Sequence, residues 1–246
     1  MEQKKLQPEY KLHKRLIHQM SDACKDFGLI EQGDRILIGL SGGKDSLALL
    51  DLLGERMKHS NHFFEIEALH VRMSNIHYSS DISYLQAQAA KWDIPFHLIE
   101  TGFEADRNPK RTPCFLCSWN RRKVLFDQAQ ALGCNKIALG HHKDDILRTA
   151  LMNMTFNGSF STMPVRISMQ KFHMTIIRPL AYCLEEDLRE WAKMQKYQPV
   201  NKACPFDGAS NRTNIQQVTA ELEKLSPDYR HHLWHALLKA GALTEE

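Results

Sequence analysis

Apolar residues along this chain alternate between short unbroken runs and longer stripes at helical spacing. Leu12, Leu16, Ile17, Met20 and Phe27 form one such stripe, which predicts a helix over about 10–28 with Gly28 as its stop. The Gly33-Asp34 turn then leads into a strand at 35–40, buried and apolar from Ile36 onward. A leucine-rich helix is predicted at 46–58, a strand at 66–71, and a helix from Ser80 or Asp81 to Trp92. Pro95 introduces a strand at 96–99. Ser118 is the expected N-cap of a helix over 118–132, which Gly133 ends. A strand at 136–139, a helix at 144–155, a turn at Asn157-Gly158 and a strand at 174–177 follow. Helices are predicted at 185–196 and 215–225, and an amphipathic closing helix around 229–235.

Strands that alternate with helices of this length specify right-handed crossovers and a parallel sheet. The expected fold is therefore α/β, a doubly wound, Rossmann-like parallel sheet with helical N- and C-terminal appendages. Three segments are expected: a helical one at 1–30, the α/β domain at 31–200, and a C-terminal one at 201–246. In such sheets ligands bind at the carboxyl ends of the strands, where the winding reverses. Loops 41–46 and 140–145 both follow a strand directly, so both are expected at that rim. Strand order itself is not written in the pattern.

The chain has 246 residues, a net charge of +3 and an ordinary globular composition. No apolar run reaches membrane-spanning length, and the polar start is unlike a signal peptide, so a cytoplasmic protein with no membrane partner is expected. Six cysteines without a secretory signal point to metal-binding or catalytic thiols before disulfides. The charge is uneven. Arg107, Lys110, Arg111, Arg121, Arg122 and Lys123 occur with no acidic residue among them, and they bracket Phe115 and Trp119. A cationic stretch with aromatic rings suits RNA, although a solvated surface gives the same pattern.

Ser41-Gly42-Gly43-Lys44-Asp45-Ser46 closes the first strand and opens a helix. Its glycines permit backbone N–H groups to surround an anion, and the helix N-terminus adds its dipole. A Walker A loop is excluded, because it needs glycine where Ile38 stands and Ser or Thr where Asp45 stands. The loop instead resembles the PP-loop of N-type ATP pyrophosphatases, which cut ATP between its α- and β-phosphates.

Two further constellations carry chemistry. In Gly140-His141-His142-Lys143-Asp144-Asp145, paired carboxylates at a helix start suit magnesium on a polyphosphate, while helix capping explains the same residues structurally. His141 and His142 are either phosphate donors or satisfied polar residues. Cys114-Phe115-Leu116-Cys117, with Cys204 far downstream, fits zinc, an iron–sulfur centre or a redox dithiol. Three thiolates suit a [4Fe–4S] cluster with one iron left open. Cys24, Cys134 and Cys183 read as small buried apolar residues.

With Ile177-Arg178-Pro179-Leu180 and the later cysteine, these elements resemble the tRNA 2-thiocytidine synthetase family from about Arg35 to Asn214. That resemblance implies an ATP-dependent sulfurtransferase that adenylates the C2 oxygen of a tRNA cytidine, releases pyrophosphate, and replaces AMP with sulfur. It implies ATP and Mg2+ held by Ser41, Gly42, Gly43, Lys44, Asp45, Ser46, Gly140 and His141. Lys44, Asp45, Asp144 and Asp145 would be catalytic, and Cys114, Cys117 and Cys204 would ligate a [4Fe–4S] cluster. The implied partners are tRNA and a sulfur donor such as a cysteine desulfurase system. Segment 1–30 is expected to pack on the core, bind RNA or form a homodimer contact.

The chain departs from the family pattern at three places. Arg148 stands where a glutamate is usual, His70 and Arg72 where an Asn and an Asp are common, and Asp207 where a second C-x-x-C often closes. Two other functions are compatible with the sequence. One is an AMP-forming enzyme acting on another base or a small molecule, and the other is a non-catalytic, metal-containing RNA-binding protein. Pyrophosphate release separates them.

Overall fold

The computed structural model describes residues 8–60, 63–75, 77–79, 81–103, 112–198, 201–203 and 211–245. Its elements run α1 (Pro8–Asp26), β1 (Arg35–Gly39), α2 (Lys44–His59), β2 (Glu65–Met73), β3 (His77–Ser79), α3 (Ile82–Ala90), β4 (Phe96–Thr101), α4 (Pro113–Ala131), β5 (Lys136–Ala138), α5 (Lys143–Asn157), β6 (Arg166–Met169), β7 (Met174–Ile177), α6 (Glu185–Met194), β8 (Asn201–Ala203), α7 (Asn211–Leu225), α8 (Tyr229–Lys239) and β9 (Thr244–Glu245). A single 3-10 turn, Gln170–Phe172, joins β6 to β7.

The main sheet has the order β4-β2-β1-β5-β7-β6-β9. The first five of these strands are parallel, β6 is antiparallel to β7, and β9 is parallel to β6. From β1 the chain winds outward through β2 to β4, then crosses back to β5 on the other side of β1. The reversal therefore lies between β1 and β5, in the register Ile38↔Ala138. Loops 41–46 and 140–145 leave these two strands, as the alternating pattern implied.

Side-chain alternation explains how the sheet is covered on both faces. Ile36 and Ile38 of β1, Ile66 and Ala68 of β2, and Ala138 of β5 join one core cluster with the leucines of α2. Leu37, Leu69 and Ile137 point the other way and meet Val124, Leu125 and Ala129 of α4. The first cluster also takes in Leu12, Leu16 and Met20 of α1 and Trp234 and Leu237 of α8. Both terminal helices thus bury their apolar stripes on the α/β layer.

The predicted elements from α1 to β5 lie within a few residues of their observed limits, with one exception. α4 starts at Pro113 rather than after Ser118. Thr112 is its N-cap, accepting from Phe115 N at 3.3 Å, with proline in the first turn. Cys114 and Cys117 therefore belong to a helix and not to an irregular stretch. The pattern also did not announce β3, β6, β8 and β9. Among the described residues β3 pairs with β8 alone, and β6 and β9 form the sheet edge beyond β7. Cys24, Cys134 and Cys183 are buried, as expected, and burial pushes all three thiols up, Cys24 and Cys134 to about 11.

Candidate active site

A cavity of about 290 Å³ opens at the reversal point. Ser41, Gly43, Asp45 and Ser46 line it from the first loop, and Gly140, His141 and Asp145 from the second. Leu40, Leu69, Val71, Leu125 and Leu139 supply an apolar wall, joined by His70 and Arg121. A flat ring beside a polyphosphate needs this combination of apolar surface and anion cradle.

The first loop turns at Gly42, whose φ of +80° is costly for any residue with a Cβ. Gly43 caps α2 without a side-chain acceptor, which leaves the first N–H groups of the helix directed at the cavity. The serines hold the loop's shape. Ser46 Oγ donates to Gly43 O at 2.9 Å, and Ser41 Oγ lies 3.1 Å from Ser46 Oγ and accepts from Gly43 N at 3.3 Å.

The second loop sits directly on the first. A Cβ at Gly140 would stand 2.9 Å from the carbonyl carbon and oxygen of Asp45 and 3.0 Å from Ser46 N. Only glycine allows backbone to approach backbone this closely. His142, 2 % exposed, is wedged among the carboxylates. Its Nε2 lies 3.4 Å from Asp145 Oδ2 and 4.0 Å from Asp45 Oδ1, so these two acids converge on one imidazole.

Asp144 and Asp145, adjacent in sequence, face different ways. Asp145 lines the cavity and accepts from His142 N at 3.2 Å. Asp144 is 3 % exposed and turned toward the C-terminal helices. One of its oxygens accepts from Arg230 Nε at 2.9 Å, and the other from Glu185 N at 2.8 Å, at the start of α6. It thus caps a helix other than its own, where the N-cap Leu184 offers no side-chain acceptor.

Lys44 spans both sides of this arrangement. Its Nζ is 2.9 Å from both oxygens of Asp45 and 3.7 Å from Glu185 Oε1. Arg148, at the place of the usual family glutamate, donates to Glu185 Oε2 at 2.7 Å. Burial opposes ionisation of Glu185, yet the Arg148 hydrogen bond and the charges of Arg148, Lys44 and His142 hold its carboxyl down at about 2. A carboxylate is thus present beside Lys44, supplied from α6.

α4 connects the cavity to the candidate cluster thiols. Cys114, Cys117, Arg121 and Leu125 recur at helical spacing and share one face, and the last two line the cavity. Cys117 lies one turn, about 6 Å along the axis, from Arg121. Phe115 and Trp119 are exposed on the same helix. Cys204, together with Arg107, Lys110, Arg111 and Asp207, lies outside the described residues. Among the described residues no group of three or more His, Cys, Asp or Glu side chains is arranged to hold a metal. Also among them, no helix is long and apolar enough to cross a membrane.

Sequence reasoning gave no place at the cavity to His70, Arg121, Arg178 or Glu185. Arg121 was visible only as part of a charge run, and His70 as a departure from the family. Arg178 was quoted in a motif, and Glu185 gave no signal.

A phosphate loop at the winding reversal of a parallel sheet, closed by a Gly-His-His-x-Asp-Asp loop, defines a nucleotide-binding α/β protein of the PP-loop class. The model of the PP-loop domain family matches residues 10–221. A tRNA-cytidine(32) 2-sulfurtransferase of Shewanella sp. (strain W3-18-1) is 40 % identical over 215 residues, covering 86 % of this chain and 67 % of that protein. The enzyme of the same name from Shewanella oneidensis is 39 % identical over 212 residues, covering 85 % and 67 %. The chain belongs to the PP-loop family and, within it, to the tRNA-thiolation group. It spans about two thirds of the length of these relatives. Among solved structures, the U34-tRNA thiolase NcsA from Methanococcus maripaludis with its [4Fe-4S] cluster has a TM-score of 0.75 at 21 % identity, covering 94 % of this chain and 79 % of that one. At that identity the likeness concerns the fold.

Proposed function

We propose that the protein is an ATP-dependent tRNA sulfurtransferase that adenylates the C2 oxygen of a cytidine and exchanges it for sulfur. One observation carries this reading. The phosphate loop, Asp145 and the face of α4 that bears Cys114 and Cys117 meet around a single cavity. The 2-sulfurtransferase relatives, similar over most of the chain, support the same reaction.

In this reading the N–H groups at the start of α2, with Ser41, Gly42, Gly43 and Ser46, hold the phosphates of ATP. The apolar wall takes the flat rings. Asp45 and Asp145 hold Mg2+, whose hard-oxygen preference they match. Mg2+ commonly uses one or two carboxylates with the rest from water and substrate phosphate, so a third protein ligand is not needed. Lys44, steadied by Glu185, stabilises negative charge as the C2 oxygen attacks the α-phosphorus and the bond to the leaving pyrophosphate breaks. AMP then departs from C2 with its oxygen as a sulfur nucleophile forms the new C–S bond. Asp144 serves by fixing α6 and α8.

Cys114 and Cys117 fit a cluster by donor chemistry and by their position in the first five residues of a helix, and Cys204 is the proposed third ligand. A [4Fe–4S] cluster held by these thiols would supply the sulfur-transfer chemistry. Phe115, Trp119 and Arg122 offer rings and a cation to a tRNA loop. A cytoplasmic location, an external sulfur donor and a homodimer belong to the same proposal.

The test uses anaerobically purified full chain with ATP, Mg2+, tRNA and a sulfide source. Pyrophosphate release that depends on tRNA, with 2-thiocytidine recovered after nuclease digestion, is the expected result. No pyrophosphate above background refutes the reading.

A further inference from the structure

Arg178 follows β7 directly and is 6 % exposed. Its backbone N–H donates to Val165 O at 3.0 Å, Nη1 donates to Pro164 O, and Nε donates to His141 Nδ1 at 3.2 Å. Burial pushes the guanidinium down to about 10, and the negative charge of Asp145 offsets this only in part. A desolvated cation has therefore been placed behind the cavity and aimed at one ring nitrogen.

The chemistry of that contact has one solution. An arginine has no acceptor, so His141 Nδ1 must accept the hydrogen bond and carries no proton itself. In a neutral imidazole the proton then sits on Nε2. His141 lines the cavity, next to the glycine that touches the phosphate loop. We infer that Arg178 is a positioning residue that holds His141 in its Nε2–H tautomer, so that His141 presents a fixed N–H donor to an anionic phosphoryl oxygen of the nucleotide. Proton transfer through His141 is disfavoured by the same contact, since a proton on Nδ1 would face the guanidinium N–H. The inference rests on the nucleotide reading of the cavity and adds a role for two residues within it.

Nitrogen NMR of histidine-labelled, ligand-free protein tests the contact, with the His141 signals assigned by their loss in His141→Asn. An unprotonated Nδ1 and a protonated Nε2 are expected, with this preference relaxed in Arg178→Leu. A protonated Nδ1 in the unaltered protein overturns the inference. So that the test does not depend on Arg178→Leu folding, a second pair of variants tests the donor. His141→Gln keeps an amide N–H near the Nε2 position and His141→Asn one near Nδ1. MgATP should bind the Gln variant within a few-fold of the unaltered protein and the Asn variant roughly tenfold or more weakly, the scale of one lost charge-assisted hydrogen bond. Equal affinity of the two variants, or tighter binding by the Asn variant, overturns the donor role. Failure of the unaltered protein to bind MgATP defeats the nucleotide reading instead, and the tautomer measurement still decides the Arg178 contact.

Discussion

Substituting alanine at Gly140 perturbs the point where the two loops touch and nothing else. The added Cβ would meet the carbonyl carbon and oxygen of Asp45 at 2.9 Å. Ordinary carbon contacts lie at about 3.5–4.0 Å, so the loops must separate by about 0.5–1 Å. The obstacle is backbone on both sides, and the two loops leave β1 and β5, which are hydrogen-bonded neighbours. No side-chain rotation can relieve it. Overpacking of this kind costs about 1–3 kcal/mol, and in a protein of this size each kcal/mol lowers Tm by about 2–4 °C. The catalytic cost should exceed the thermal one, because a 1 Å misplacement of reacting groups is worth on the order of 100-fold in rate. We expect kcat/KM for tRNA-dependent pyrophosphate release to fall roughly 10- to 100-fold with far-UV circular dichroism unchanged. Gly39→Ala, also at the cavity but under its apolar wall and away from the loop contact, is the comparison. Its Cβ would meet Leu139 Cδ2 at 3.2 Å and Leu125 Cδ2 at 3.4 Å, flexible side-chain ends that can turn aside. Wild-type kinetics and Tm in Gly140→Ala would refute the argument that this contact sets the site's geometry.

Asp144→Asn and Asp145→Asn should separate structure from chemistry. The first should lower stability by about 1–3 kcal/mol in urea titrations, through its lost charge-assisted bonds to Arg230 and Glu185 N, with the Mg2+ requirement unchanged. The second should raise the Mg2+ concentration for half-maximal activity with little change in Tm; the reverse pattern would contradict the assignment. His13 stacks on Trp191 and lies 2.6 Å from Glu55. That hydrogen bond raises its pKa above 6.5, against the opposing effect of burial. A raised folded pKa gives stability that is complete below the unfolded value and lost as pH rises through the folded one. Tm should therefore decline more steeply in the unaltered protein than in Glu55→Gln as pH rises above about 6.5, and parallel curves would dismiss the contribution. Anaerobic protein should carry roughly four irons per chain, and Cys114→Ala should lose them; stoichiometric zinc without inorganic sulfide would remove the cluster from the proposal.

The α/β alternation, both rim loops and the candidate thiols were legible because each depends on local chemistry. An apolar run of strand length, a Gly-Gly turn before a helix and a C-x-x-C declare themselves within a few residues. The start of α4 was also legible, since Thr112-Pro113 is a cap followed by a helix-starting proline, but the stronger-looking Ser118 obscured it. β6 gave less signal. Its short Arg166–Met169 stretch is only partly buried at the sheet edge, and it exists because β7 offers it hydrogen bonds.

What the sequence determined by itself was the kind of chemistry: a phosphate cradle, neighbouring acids and a set of thiols. Tertiary structure decided which groups face one another. A helix turns about 100° per residue, so Asp145 enters the cavity while Asp144 is carried to Arg230, 86 positions away. Glu185 reaches Lys44 from α6, and Arg178 reaches His141 across the end of β7. No local pattern encodes such meetings, because they arise from the order of strands in the sheet, and that order is set by packing over the whole chain.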